Sequence, residues 1–217
     1  MSSRNSFHIK SALSEVQTMY NEADPAHDFS HIMRVYKNAQ IIGEKEGADM
    51  EVLLLAALLH DAGEGPKLSD RTESQRPRIV DDFLMKVGHS MEVRQKVLYA
   101  VDAHRFSKGI VPVTLEAKVL QDADRLDAMG AIGIARVFAT GGTLGRALYN
   151  PDDPFCRTRE PDDRKWNLDH FFKKLLKLES GMHTRTAREL ASQRAEVLKR
   201  YLSDLEREIG EVNASGI

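Results

Sequence analysis

His60 and Asp61 stand directly after Val52-Leu53-Leu54-Leu55-Ala56-Ala57-Leu58-Leu59, the longest unbroken apolar run of the chain. A segment that is apolar on every side belongs in a core, so the two polar residues ending it are carried towards the interior. An isolated buried carboxylate is costly, and such groups are normally paired, neutralised or bound to a metal. Successive helical residues point about 100° apart, so His60 and Asp61 converge on one ion only where the helix stops and the backbone turns. Ala62-Gly63 supplies that turn, and a cation there meets the negative end of the helix dipole.

Such a site needs further donors. Among the imidazoles His31 is the leading candidate, flanked along its helix by Arg34 and Asn38, with His27 one turn earlier on the same face. Among the acids, Asp122, Asp124 and Asp127 interrupt the otherwise core-like stretch from Val119 to Met129. Asp124 and Asp127 are three residues apart and share a face, whereas Asp122 points about 200° away from Asp124. A cap or a salt bridge with Arg125 suits Asp122 better than chemistry. Imidazoles and carboxylates together form a mixed site that accepts Mn, Co, Ni, Fe, Zn or Mg and leaves positions open for water and phosphate oxygen. An ion so held acidifies bound water and polarises a phosphoryl group, so the chemistry expected is phosphoester hydrolysis.

The elements that must position these residues read as helices. Apolar residues recur at spacings of three and four, and alternation at period two is rare. Helices are predicted at about Ser6–Asn21, Asp28–Lys45, Met50–Asp61, Glu73–Val87, Ser90–His104, Thr114–Phe138, Trp166–Glu179 and Thr184–Glu208. Ile32, Val35, Ala39 and Ile42 make one stripe on the second, and Ser90 caps the fifth. Residues 141–163, with Pro151, Pro154 and Pro161, form a long loop. Its Arg146 to Arg159 part either covers substrate or makes a subunit contact, and the sequence leaves both open, together with a homodimer. The fold class is all-α, a single helical domain over 1–217 with its core at 23–149 and C-terminal helices at 163–210 packed on it.

Composition bounds the function classes. Hydrophobic residues are 41% and charged residues 29% of 217, a globular balance rather than a disordered one. A net charge of -2 gives no global reason to bind nucleic acid or an acidic membrane. The single cysteine, Cys156, excludes an intramolecular disulfide and a thiolate zinc site. Met1 to Lys10 lacks the apolar stretch of a signal sequence, and Val52 to Leu59 is too short to cross a bilayer. A soluble, cytoplasmic protein is expected.

The ordered set Ala26-His27-Asp28-Phe29-Ser30-His31-Ile32-Met33-Arg34-Val35, then Leu58-Leu59-His60-Asp61, then Asp122-Ala123-Asp124-Arg125-Leu126-Asp127-Ala128 resembles the HD-domain superfamily of metal-dependent phosphohydrolases. The likeness covers roughly Ala23 to Tyr149. It is nearest to small stand-alone bacterial and archaeal members, through Gly130-Ala131-Ile132-Gly133-Ile134-Ala135-Arg136 and Gly141-Gly142. The resemblance implies an HD-type helical bundle in which His31, His60, Asp61 and Asp124 hold one divalent metal. It also implies nucleotide phosphatase or pyrophosphohydrolase activity through attack of metal-bound water. Glu64 stands where the family pattern often continues with an acid, and would orient water or act as general base. Asp61, Glu64 and Asp127 are thus the acids expected in the reaction itself.

Cations must balance the acids on the substrate side, and Arg34, Lys67, Arg105 and Lys108 are the motif-adjacent choices, with His104 among them. His89 and His104 are the nearby histidines that a second metal would require, although each taken singly reads as a hydrogen-bonded core histidine. Two other classes stay open: a non-catalytic metal and nucleotide sensor, and a di-iron oxygenase, which needs more histidines than these. The expected partner is a small phosphorylated substrate, a nucleotide by preference.

Overall fold

A computed structural model describes residues 15–20, 28–62, 76–105 and 109–214. All regular structure among the described residues is helical apart from one isolated bridge between Ala147 and Trp166. Residues 15–19 form the described part of α1. Then follow α2 (Phe29–Glu46), α3 (Met50–Leu59), α4 (Arg76–Lys86), α5 (Met91–Ala103), α6 (Leu115–Asp127), α7 (Gly130–Thr143), α8 (Asp169–Lys173) and α9 (Arg185–Ala214). No helix among them is long and apolar enough to cross a membrane. The chain groups into two compact units, Met1–Asp124 and Arg125–Ile217.

In the first unit α3 is the centre, packed by α2 and α5, while α4 packs on α5. Its side chains at Val52, Leu53 and Leu55 through Leu59 are all buried. Asp49 caps it by accepting from the backbone N–H groups of Glu51 and Val52. Gly43 lets α2 come close, because a Cβ there would lie 2.3 Å from Leu53 Cδ2. The buried stripe of α2 is Ile32, Val35, Ala39 and Ile42, and each large apolar side chain so buried stabilises the fold by about 1.5–3 kcal/mol. Near the end of α3, the hydroxyl of Tyr20 donates to the carbonyl of Leu58 at 3.0 Å. The result is a tight frame two residues before His60.

The single helix expected from Thr114 to Phe138 is instead two. It stops at Asp127, where the N–H groups of Ala128 and Met129 turn back to the carbonyls of Arg125 and Leu126. A new helix then starts at Gly130, whose φ of 65° an L side chain resists. Gly141 and Gly142 lie inside α7 rather than breaking the chain there.

In the second unit α7 packs on α9, and Leu168, Phe171, Leu175 and Leu198 form the core with Phe138 and Tyr201 against it. The helix expected over 166–179 resolves into the short α8 followed by 3-10 turns at Leu175–Lys177 and Glu179–Gly181. The preceding loop is irregular yet bonded to itself. Asp153 accepts from the N–H groups of Arg157 and Thr158, which draw its carboxyl down to about 2. Arg159 lays two hydrogen bonds of 2.5 and 2.8 Å on Asp169, which is fully buried.

Candidate metal centre

The site lies wholly within the first unit. His31 is in the opening turn of α2, whose cap, Asp28, accepts from the backbone N–H of His31 at 2.9 Å. His60 follows α3 in helical conformation and Asp61 lies in the turn beyond it. His104 occupies the same position at the end of α5 that His60 occupies at the end of α3. Asp124 comes from α6.

Distances draw these five side chains into one cluster. His31 Nε2 is 3.4 Å from His60 Nε2, 3.5 Å from Asp61 Oδ2 and 3.6 Å from Asp124 Oδ1. His60 Nε2 is 3.4 Å from Asp61 Oδ2, and His104 Nε2 is 3.6 Å from Asp61 Oδ1. Asp61 therefore turns one oxygen to His31 and His60 and the other to His104. The imidazoles meet edge to face, with ring centres 5.4 Å apart for His31 and His60 and 5.1 Å for His60 and His104.

Helix ends fix two of the rings. His60 Nδ1 lies 2.9 Å from the carbonyl of Ala57, and His104 Nδ1 lies 2.5 Å from that of Val101. A carbonyl only accepts, so in both rings Nδ1 carries the hydrogen. Each bond uses a carbonyl near the helix end, and each leaves Nε2 facing Asp61. Backbone partners of this kind orient metal-ligating histidines.

Burial pushes the His60 imidazole below its ordinary value despite the nearby carboxylates. Burial would raise the Asp61 carboxyl, but His60, His104 and His31 outweigh it and hold the group well below the usual carboxylate range. Burial likewise works against a charge on His104, and there Asp61 and Asp124 win and raise it.

The donor set fits a divalent cation. The separations of 3.4–3.6 Å between donor atoms are too long for good hydrogen bonds. Two donors about 2.1 Å from one tetrahedral ion stand about 3.4 Å apart. Both His31, His60 and Asp124, and His60, Asp61 and His104, bring their donor atoms within 4.8 Å of one another. Two imidazole nitrogens and two carboxylate oxygens suit Mn, Fe, Co, Ni, Zn or Mg. The side chain of Asp124 is 35% exposed, against 9% for Asp61 and 1% for His31, so the cluster opens on the Asp124 side.

Arg34 and Arg105, one turn after His31 and directly after His104, are both half-buried. Asp127 is not in the cluster: its carboxylate, 1% exposed, accepts from Arg136 Nη1 at 2.6 Å in the second unit. His89 pairs with Glu51 at 3.2 Å rather than joining the cluster. His27, Glu64, Lys67 and Lys108, and the turn at Gly63, lie outside the described residues. His104, which the sequence offers as a phosphate contact or as a second-metal histidine, lies beside Asp61.

Comparison with known proteins identifies the family. The sequence profile of the HD domain family matches residues 28–129. The YpgQ protein of Bacillus subtilis (strain 168) is 36% identical over 203 residues, covering 92% of each chain. A crystal structure of Bacillus subtilis YpgQ in complex with ADP superposes with a TM-score of 0.75 at 35% identity, over 93% of this chain and 94% of that one. An HD-superfamily hydrolase from Bacillus thuringiensis gives 0.75 at 34% identity, over 92% and 95%. With the likeness running through nearly its whole length, the chain belongs to the HD-domain family and has the fold of its hydrolases.

Proposed function

We propose that this chain is a metal-dependent phosphohydrolase that cleaves a phosphoester or phosphoanhydride bond of a nucleotide. The observation carrying the reading is the buried cluster of His31, His60, Asp61 and Asp124, whose donor atoms stand at ligand spacing. The ADP complex of the relative YpgQ supports a nucleotide as ligand class.

His31, His60, Asp61 and Asp124 would hold one divalent cation. When bound, that ion lowers the pKa of a water ligand and polarises a phosphoryl group. Asp61 brings negative charge on one oxygen and keeps the other for His104, so the two histidine-bearing helix ends are oriented by a single carboxylate. The open side at Asp124 admits the phosphate. In the reaction a water oxygen bonds to phosphorus, the bond from phosphorus to the leaving oxygen breaks, and the water proton passes to a base. Glu64 is the acid assigned to that proton or to orienting the water. Arg34, Lys67, His104, Arg105 and Lys108 are assigned to the phosphate oxygens. Asp127 is assigned no chemical part, because Arg136 takes up its carboxylate.

The test is turnover of nucleoside mono-, di- and triphosphates by purified protein with Mn, Co, Ni or Mg. Metal-dependent release of phosphate or pyrophosphate is expected. Tight nucleotide binding with no product under any metal would refute hydrolysis.

A further inference from the structure

The five side chains of the cluster come from four pieces of backbone: α2, the turn after α3, the end of α5, and α6. Apart from the adjacent His60 and Asp61, nothing in the covalent chain keeps them at 3.4–3.6 Å from one another. Asp124 is the member least held by its own surroundings, with 35% of its side chain exposed. Its position depends on how α6 is fastened.

Two buried amides contribute to that fastening close to Asp124. Asn38, 6% exposed, donates from Nδ2 to the carbonyl of Ala123 at 3.2 Å. It stands seven residues after His31 and so on the same face of α2, which ties the His31 face to the carbonyl immediately before Asp124. Gln121, 3% exposed, donates from Nε2 to the carbonyls of Ala103 and His104 at 3.2 and 3.3 Å. Those carbonyls end α5 and have no partner within that helix. Gln121 itself lies one turn before Asp124 on α6. One amide thus joins α6 to α2 and the other joins α6 to α5, both within a turn of Asp124.

We propose that Asn38 and Gln121 are positioning residues that set the spacing of the cluster and through it the affinity for a divalent cation. The inference rests on the metal reading above. A carbonyl offers no alternative to accepting, so in these bonds the amide nitrogens are the donors. Loss of either amide frees α6 to shift, and the donor atoms of Asp124 and His104 move relative to those of His31 and His60.

The test is Mn2+ affinity of the full chain by titration calorimetry, beside thermal unfolding of the metal-free protein. Asn38→Leu and Gln121→Met remove the amides at nearly constant volume. Each is expected to weaken Mn2+ binding about 10-fold, in the range seen when partners that orient metal ligands are removed. Ile42→Ala, buried in the same unit towards the far end of α2, is the control: it lowers the melting temperature and leaves Mn2+ affinity unchanged. Lower melting temperatures with unchanged Mn2+ affinity in both amide variants would overturn the positioning role and leave the metal reading intact. A wild type that takes up no Mn2+ would overturn both. If Gln121→Met does not fold, Gln121→Asn, one methylene too short to span both carbonyls, carries the same expectation.

Discussion

Asp127 separates chemistry from architecture, and its replacement by alanine should damage the fold and spare the reaction. The carboxylate is 1% exposed and receives Arg136 Nη1 at 2.6 Å, and the Arg136 side chain is only 20% exposed. Asp127 also faces Arg194, whose guanidinium burial pushes down in pKa and Asp127 pulls back up. Asp127→Ala therefore removes a buried acid from beside two partly desolvated cations. Breaking a fully buried pair costs about 3–5 kcal/mol. The residual exposure of Arg136 lets water recover part of that, so about 2–3 kcal/mol is expected. For a chain of this length each kcal/mol moves the midpoint by about 2–4 °C, which gives a fall of about 5–10 °C. Circular dichroism melts measure the fall, and steady-state turnover of a nucleotide with saturating Mn2+ at 25 °C measures the chemistry. An unaltered melting curve with turnover reduced about 100-fold would refute the assignment and return Asp127 to the reacting acids.

Other perturbations follow from the same geometry. Asp61→Ala should abolish Mn2+ uptake and lower turnover by at least about 100-fold, read by metal analysis and phosphate release, because Asp61 faces all three imidazoles. Gly130→Ala should cost about 1–2 kcal/mol in a denaturant titration, since φ is 65° and Arg194 Cβ would lie 3.3 Å from the added carbon. For Asp163, burial is outweighed by Lys173 and His170, which bring its carboxyl from 3.8 to about 2. A carboxyl depressed in the folded state stabilises above its unfolded pKa and loses that contribution as pH falls through the folded one, so wild type should exceed Asp163→Asn by about 2 kcal/mol at pH 6. That gap should close between pH 4 and pH 2 in denaturant titrations, and a constant gap would contradict the ion pair.

Periodicity made α2, α3 and α5 readable because their apolar stripes are buried where the spacing puts them: Val35 and Ile42 on α2, Leu53 and Leu58 on α3, Val97 and Ala100 on α5. The polar ends of α3 and the acids of α6 were legible for the same reason, since charge in an apolar segment demands a partner. The break at Ala128-Met129 was not, because Gly130 sits in a sequence whose apolar spacing continues across it and only the positive φ reveals the turn. In the second unit Leu168, Phe171 and Leu175 keep helical spacing, yet the chain there alternates a short helix with 3-10 turns, so packing overrides the pattern. The sequence offers His104 as a phosphate contact or a second-metal ligand without saying which way a ring at a helix end turns; the bond from its Nδ1 to Val101, like that of His60 to Ala57, turns its Nε2 towards Asp61.

The central claim is that one divalent cation sits among side chains from separate helices. Crystals soaked in manganese and measured at its absorption edge test this directly. An anomalous peak bounded by His31 Nε2, His60 Nε2 and the carboxylates of Asp61 and Asp124, and absent in Asp61→Ala, is the expected result. Density without a peak among those four side chains, or a manganese ion bound elsewhere with activity intact, would contradict it.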